Sequence, residues 1–195
     1  MRYSYLIFLL IFLSSSVYAE DIPKKEIKVF TAKVSDVRLQ GTLQEQGKGL
    51  DDTVSVKVPS IIFRKPIKIA DVRKAQRYQV PEIDTLISCL KANIDGSAQD
   101  IAAFWAPSEK KEKLADMSDP EILNKTHSYY REYPGLIILG IIYQDKTMSV
   151  LTKETDPNPL LPALGITLTK IDGKLYLTNH PSNDLELAII EASFK

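Results

Sequence analysis

The dipeptide Asp172-Gly173 constrains the fold of this chain more than any other short segment. It lies between two runs, 165–171 and 174–178, in which apolar and polar residues alternate. Alternation of this kind predicts β-strands, and Asp-Gly supplies two residues that tolerate the positive φ angles of a tight hairpin. The C-terminal part of the chain is therefore predicted to contain antiparallel β-structure.

Further strands are predicted before and after this hairpin. The apolar run 136–143 is the strongest candidate, and a turn leads from it into a strand at 147–152. The tail 185–194 has features of both a strand and a helix, and its alternation of Leu185 and Leu187 favours the strand.

An N-terminal β segment is predicted over residues 27–63, with a hairpin loop around 47–52. Pro59 and Pro66 argue against central, fully paired strands there, because proline donates no backbone hydrogen bond. Residues 64–80 are rich in lysine and arginine, which fits a solvated connector or, alternatively, a patch that docks an anionic glycan, a lipid headgroup or a partner.

Four helices are predicted between residues 81 and 132. Pro81 begins the longest, whose apolar residues recur every three or four positions as far as Ile94. Gly96 is expected to end it with a positive φ angle. Three more segments follow, at 98–105, at 108–114 with Ser108 as the N-cap, and at 119–132 with Asp119 as the N-cap.

The first nineteen residues predict export. Arg2 precedes the short apolar run 6–13, and Val17 and Ala19 are small residues at the two positions that a signal peptidase reads. The run is too short to cross the roughly 30 Å of a membrane's hydrocarbon core. We therefore expect a signal peptide over 1–19 and no transmembrane segment after its removal.

The expected organisation is a signal peptide (1–19), an N-terminal β segment with its connector (20–80) and an α+β domain (81–195). The compact leader and the absence of paired cysteines favour a bacterial periplasm over secretion elsewhere. Lysine and arginine number 25 and aspartate and glutamate number 25, so no overall charge attracts nucleic acid.

No cofactor or metal is expected. The two histidines, His127 and His180, lie far apart in the sequence, and the chain has one cysteine, Cys89, so the usual three- or four-ligand metal patterns are missing. We expect His127 on the polar side of its helix, His180 in a solvated loop and Cys89 in the core.

Several phrases resemble those of a known superfamily. They are the Pro81-Glu82 helix start, its Asp95-Gly96 end, the segment 101–107 and the late Lys170–Leu177 hairpin. Over residues 81–180 the chain resembles the NTF2-like (nuclear transport factor two-like) superfamily. The resemblance implies an α+β cone, in which a curved antiparallel sheet packs on N-terminal helices, here preceded by a small β segment.

The resemblance also implies a pocket at the wide end of the cone. Six aromatic side chains would line it and bind an apolar or glycan ligand: Phe104, Trp105, Tyr129, Tyr130, Tyr143 and Tyr176. The alternative is that some of them only pack the helices onto the sheet.

Three functions fit these expectations. The favoured one is a non-enzymatic envelope module that binds a partner protein or a small apolar or glycan ligand. The second is an isomerase or dehydratase that uses an aspartate and a tyrosine, for which Asp95, Asp100, Asp116 and Tyr130 are candidates. The third is an accessory protein that pairs its N-terminal strand with another chain. The resemblance also implies a homodimer formed through the sheet.

Cleavage after Ala19 is directly testable. Expression of the full chain in a bacterium with a periplasm is expected to yield a mature protein that begins at Glu20. Intact mass and N-terminal sequencing measure this, and Ala19→Arg is expected to block processing. A periplasmic protein that still begins at Met1 would contradict the signal-peptide prediction.

Overall fold

The computed structural model describes residues 24–133, 135–155, 163–179 and 184–194. The protein is an α+β structure in which six antiparallel strands form one curved, unclosed sheet. The strands follow each other across the sheet in sequence order, so each strand pairs with its neighbours in the chain. The sheet contains strands from both sides of residue 80, because a strand of the N-terminal segment pairs with the first strand that follows the helices.

The bounds of the elements are as follows. The strands are β1 (Glu26–Lys33), β2 (Thr53–Ile69), β3 (Leu136–Gln144), β4 (Thr147–Glu154), β5 (Leu164–Ile171) and β6 (Lys174–Leu177). The helices are α1 (Gln40–Glu45), α2 (Pro81–Asp95), α3 (Ala98–Ala102), α4 (Pro107–Met117), α5 (Pro120–Arg131) and α6 (Leu185–Ala192). Short 3₁₀ turns occupy Val34–Asp36 and Val72–Lys74.

The hairpin and the main helices confirm the local predictions. Asp172 and Gly173 have φ angles of 48° and 81°, as a tight turn between β5 and β6 requires. Pro81 lies in the first turn of α2, and the Asp119 side chain accepts a hydrogen bond from the backbone N–H of Glu121 at the start of α5.

Helices cover both faces of the sheet. On one face, α2 buries Ile83 and Leu86 in the main core together with Ile138 and Leu168 of the strands. On the other face, α6 buries Leu187 and other apolar residues against Phe30, Val58, Ile142 and Leu151. Each of these aliphatic side chains contributes about 1.5–3 kcal/mol when fully buried, so both helices are strongly held.

A β-bulge in β3 distributes its side chains between these two faces. The pairing with β4 shifts between Ile138 and Gly140. Ile138 and Ile141 consequently face the α2 core, while Ile142 faces α6, although strict alternation would put residues 138 and 142 on the same face.

The C-terminal tail is a helix, and the strand prediction for 185–194 is wrong. Leu187, Ile189 and Ile190 are all buried in α6, because the helix lies across the sheet and also contacts the turn that follows β1. The sequence alone contains both periodicities, and contact with the sheet selects the helical one.

The N-terminal predictions need three corrections. The stretch after β1 contains a 3₁₀ turn and α1 where strand was expected, and β2 continues through the supposed connector as far as Ile69. Pro59 and Pro66 both lie in β2, which is the second strand of the sheet. Pro59 is opposite Ile27 in the pairing with β1 and precedes the first β2–β3 pair, while Pro66 lies where the β2–β3 pairing is interrupted, so neither proline is paired with β3.

Two helix ends also differ from prediction. Gly96 has a φ angle of −75°, not the positive angle that was expected. A side chain is excluded at this position because a Cβ would lie 2.5 Å from the carbonyl oxygen of Ala92. The N-cap of α4 is Ala106, with Pro107 in the first turn, and Ser108 is inside the helix. Among the described residues, none of the helices has the length and apolar character that crossing a membrane requires.

Gly140→Ala is expected to destabilise the protein. A Cβ at this position would overlap the carbonyl oxygen of Ile61 and lie 2.6 Å from Cδ1 of Ile62, so the β2–β3 pair must separate. We expect a loss of about 1–3 kcal/mol in the free energy of unfolding, measured by urea denaturation. The control is Gly41→Ala in α1, where the new Cβ has open space, and it is expected to be neutral or stabilising by up to about 1 kcal/mol.

Candidate functional site

A groove with a volume of about 530 Å³ lies beside β1. Its apolar lining comes from Phe30 of β1, Ile62 of β2 and Phe194, which follows α6. The rings of Phe30 and Phe194 are tilted by 41° and their centroids are 5.9 Å apart. We call this hollow the β1–α6 groove.

Polar contacts fix the end of α6 that forms one wall of the groove. The Glu191 carboxylate is buried, and it accepts hydrogen bonds from the backbone N–H of Gly165 at 2.9 Å and from Nε of Arg38 at 3.0 Å. Lys153 Nζ donates to the carbonyl oxygen of Phe194 at 2.6 Å. These bonds tie α6 to β4 and β5, so the position of the Phe194 ring is set by the sheet.

Cations outnumber carboxylates in the β1–α6 groove. Lys24, Lys28 and Arg64 line it together with one acid, Glu26. Lys28 Nζ lies 2.7 Å from Glu26 Oε2, and this hydrogen bond, with a smaller effect of Arg64, lowers the pKa of Glu26. Within the described chain, Lys24 and Arg64 have no carboxylate within ion-pair distance, so the groove carries an excess of positive charge.

An apolar wall beside unpaired cations suits a ligand that is itself amphiphilic. The volume falls within the range of about 300–1,000 Å³ typical of small-molecule sites. Phe30, Ile62 and Phe194 would contact an apolar body, and Lys24 and Arg64 would contact an anionic group. The β1–α6 groove therefore offers both apolar and charged contacts to a ligand.

The aromatic residues predicted as one pocket lie at three separate places. Phe104, Trp105 and Tyr176 belong to the β6 edge, where Trp105 forms a bridge with Leu177. Leu177 donates its backbone N–H to the carbonyl oxygen of Phe104 at 2.7 Å. Phe104 and Trp105 are half-buried against the main core, so packing accounts for their positions.

Lysine side chains lie over two of the rings at this edge. Lys113 Nζ is 4.5 Å from the centroid of the Trp105 ring, and Lys174 Nζ is 5.0 Å from that of Tyr176. Cation–π contacts of this kind stabilise partly exposed aromatic side chains.

Tyr129 and Tyr130 lie on α5 and form an aromatic cluster with Tyr133. The Tyr129 and Tyr130 rings meet edge to face with centroids 5.0 Å apart. Tyr129 donates its hydroxyl to Glu154 Oε1 at 3.2 Å and stays exposed, whereas burial raises the pKa of Tyr130 to about 12. Of the six predicted aromatic residues, Tyr130 lines a second, smaller hollow, and the other five line neither hollow.

Tyr143 lies near the end of β3, away from the other tyrosines. Its hydroxyl donates to Glu82 Oε1 at 3.3 Å, and Lys25 Nζ is 4.0 Å from its ring centroid. Burial, followed by the nearby carboxylate, raises the pKa of Tyr143 to about 12. This pair is a carboxylate beside a tyrosine, but neither member lines a described hollow.

Two of the three candidate catalytic acids, Asp100 and Asp116, have other partners. Asp100 forms a capping box with Ser97 at the start of α3, and Asp116 lies 3.9 Å from Lys113. Asp95 is the last residue of α2. The structure does not place any of them beside Tyr130 in a described hollow.

The histidine predictions have different outcomes. His127 is half-buried and its Nε2 lies 2.9 Å from the carbonyl oxygen of Gly96, which joins α5 to the end of α2 and does not leave the ring on a polar surface. His180 lies outside the described residues. The described chain contains no group of three histidine, cysteine, aspartate or glutamate residues arranged to hold a metal ion.

The residues that line the β1–α6 groove were missed in the sequence. Phe30 looked like an ordinary strand residue, and Phe194 belonged to a tail with ambiguous periodicity. Arg64 belongs to the basic stretch 64–80, which predicts a connector or a docking patch. The stretch of positive charge is the one local signal for the groove, because only the tertiary structure brings Phe30 and Phe194 together.

Comparison of the chain with protein-family models, with curated proteins and with solved structures found no match. The molecule is therefore defined by its architecture: an α+β protein with a six-stranded antiparallel sheet and helices on both faces.

Cys89 is expected to be inert in the folded protein. It is buried in α2, and burial raises the pKa of its thiol to about 12, so very little thiolate is present at neutral pH. Labelling with a disulfide reagent at pH 7 is expected to be at least about a hundredfold slower in the native protein than in urea. Equal rates in the two conditions would show that Cys89 is accessible and reactive.

Proposed function

We propose that this protein is an exported, non-enzymatic binding module of the cell envelope that takes an amphiphilic anionic ligand in the β1–α6 groove. The observation that carries the proposal is the combination of an apolar wall with unpaired cations in one hollow of about 530 Å³. The export part rests on the leader over residues 1–19.

Physical chemistry favours this ligand class over a purely apolar one. Phe30, Ile62 and Phe194 provide apolar area, whose burial is worth about 25 cal/mol per Å². Lys24 and Arg64 lose part of their hydration when a ligand covers the groove, and an anionic group compensates that cost. A neutral glycan would leave both cations uncompensated, so we rank it lower.

The isomerase or dehydratase alternative has less support. General base catalysis requires a carboxylate within hydrogen-bond reach of a bound substrate. In the β1–α6 groove the carboxylate is Glu26, which is held by Lys28 and has a lowered pKa, and this makes it a weaker base than a free carboxylate. The groove is also not the hollow that the NTF2-like resemblance implies, and that resemblance remains a prediction.

A second candidate function is strand addition at β1. This strand is at one edge of the sheet, and its Ile27 and Val29 are 72% and 58% exposed. A partner protein or a second copy of the chain could extend the sheet there. Lys28 and Glu26 on the same strand are the kind of charged residues that protect natural edge strands from pairing, so we rank this function second.

Filling the groove tests the proposal. Ser193 lines it at the C-cap of α6, and Ser193→Trp is expected to block binding of an anionic aromatic dye whose fluorescence rises in apolar surroundings. The matched control is Ser118→Trp at the C-cap of α4, because each serine hydroxyl donates to a carbonyl oxygen of its own helix. We expect at least about a tenfold weaker dye affinity for Ser193→Trp alone. Equal affinities in both variants would overturn the proposed site.

Removing one charge tests the anionic part of the ligand. Arg64→Gln is expected to weaken dye binding several-fold, and its exposed neighbour Lys65→Gln, which does not line the groove, is expected to have little effect. Equal losses in the two variants would show that only the overall charge matters. Circular dichroism checks that all the variants remain folded.

A further inference from the structure

A second hollow, of about 150 Å³, lies where α2 and α5 end beside the segment that follows β2. Its lining includes Asp71, Arg73, Ile94, Tyr130, Arg131 and Tyr133. None of these residues lines the β1–α6 groove, so this hollow is a separate feature. Its volume is below the range of about 300–1,000 Å³ for whole small molecules, and it suits a single chemical group.

Two tyrosines, Tyr130 and Tyr133, are among the residues that line this hollow. Within the described chain, the hydroxyls of Tyr130 and Tyr133 have no hydrogen-bond partner, whereas that of neighbouring Tyr129 donates to Glu154. Burial, with a smaller contribution from the nearby Glu154 carboxylate, raises the pKa of Tyr130 to about 12 and raises the pKa of Tyr133 as well, so both hydroxyls are protonated at neutral pH and able to donate. Their rings are held 5.8 Å apart in the aromatic cluster.

Three cations, Arg73, Lys74 and Arg131, lie in or beside the lining of the hollow, which contains one carboxylate, that of Asp71. Asp71 Oδ1 accepts hydrogen bonds from the backbone N–H of Arg73 at 3.0 Å and from its Nε at 3.2 Å, and Lys74 Nζ lies 3.7 Å from Oδ2. The side-chain hydrogen bond from Arg73 is the main reason why the pKa of Asp71 is lowered. Arg131 has no ion pair among the described residues.

We propose that this hollow binds a phosphate group, held by the guanidinium of Arg131 and by the hydroxyls of Tyr130 and Tyr133. A guanidinium presents two N–H donors in a fork that matches two oxygens of a phosphate. The two phenol hydroxyls add neutral donors, and Arg73 adds positive charge beside them. Asp71 is the one acid in the lining, and Arg73 and Lys74 already compensate its charge.

Two sources of phosphate share this chemistry, namely the free inorganic ion and the phosphomonoester headgroup of a lipid. Isothermal titration calorimetry of the purified protein with sodium phosphate at low ionic strength tests the first. Co-sedimentation with phosphatidylcholine vesicles, with and without phosphatidic acid, tests the second. Binding in either arm supports the site when the variants below weaken it, and the arm identifies the source; binding in neither arm overturns the proposal.

Variants locate the binding. Arg131→Met is expected to weaken phosphate binding about tenfold or more, and the matched control Arg77→Met removes an exposed arginine that does not line the hollow. Tyr130→Phe with Tyr133→Phe keeps the packed rings and removes both donors, and is expected to weaken binding several-fold. The matched control is Tyr129→Phe, whose hydroxyl bonds to Glu154.

An affinity that does not change in Arg131→Met and in the double tyrosine variant would overturn the proposal. Circular dichroism checks the fold of each variant. Dye binding in the β1–α6 groove provides an independent readout, because none of these substitutions lies in that groove. The phosphate site and the groove can therefore fail or succeed separately.

Discussion

The burial of β3 on both of its faces is the constraint on which the rest of the structure depends. Ile138 and Ile141 require cover from α2, and Ile142 requires cover from α6. A sheet with only one helix layer would leave one of these sets in water, at a cost of about 1.5–3 kcal/mol for each large side chain. The helices inserted between β2 and β3 provide the first cover, and the C-terminal tail provides the second.

The position of α6 then depends on polar contacts as well as on apolar ones. Glu191 is a buried carboxylate, which is tolerated because Gly165 and Arg38 both donate to it. Gly165 has no side chain because a Cβ there would lie 2.8 Å from Cδ2 of Leu187. The close approach of α6 to β5 and the hydrogen bond from Gly165 to Glu191 therefore both fix the position of α6. This position holds Phe194 beside Phe30.

Both hollows described combine aromatic side chains with arginine, and they differ in what surrounds the charge. In the β1–α6 groove, apolar rings dominate the wall and the cations lie beside them. The smaller hollow is lined by Tyr130 and Tyr133, by the Asp71–Arg73 ion pair and by Arg131, which has no ion pair among the described residues. The first arrangement suits an amphiphile, because an apolar wall favours ligands that bury apolar surface against it. The second suits a compact oxyanion, because hydrogen-bond donors favour ligands whose oxygens match their positions.

The sequence by itself determined the elements whose signals are local. Asp172-Gly173 predicted its hairpin, and Pro81 and Asp119 predicted where α2 and α5 begin, because turn and capping chemistry depends on neighbouring residues. Only the tertiary structure decided that the tail is a helix, since its apolar residues fit both periodicities until the sheet face covers them. It also decided the groove, because Phe30 and Phe194 are far apart in the sequence and no local pattern links them.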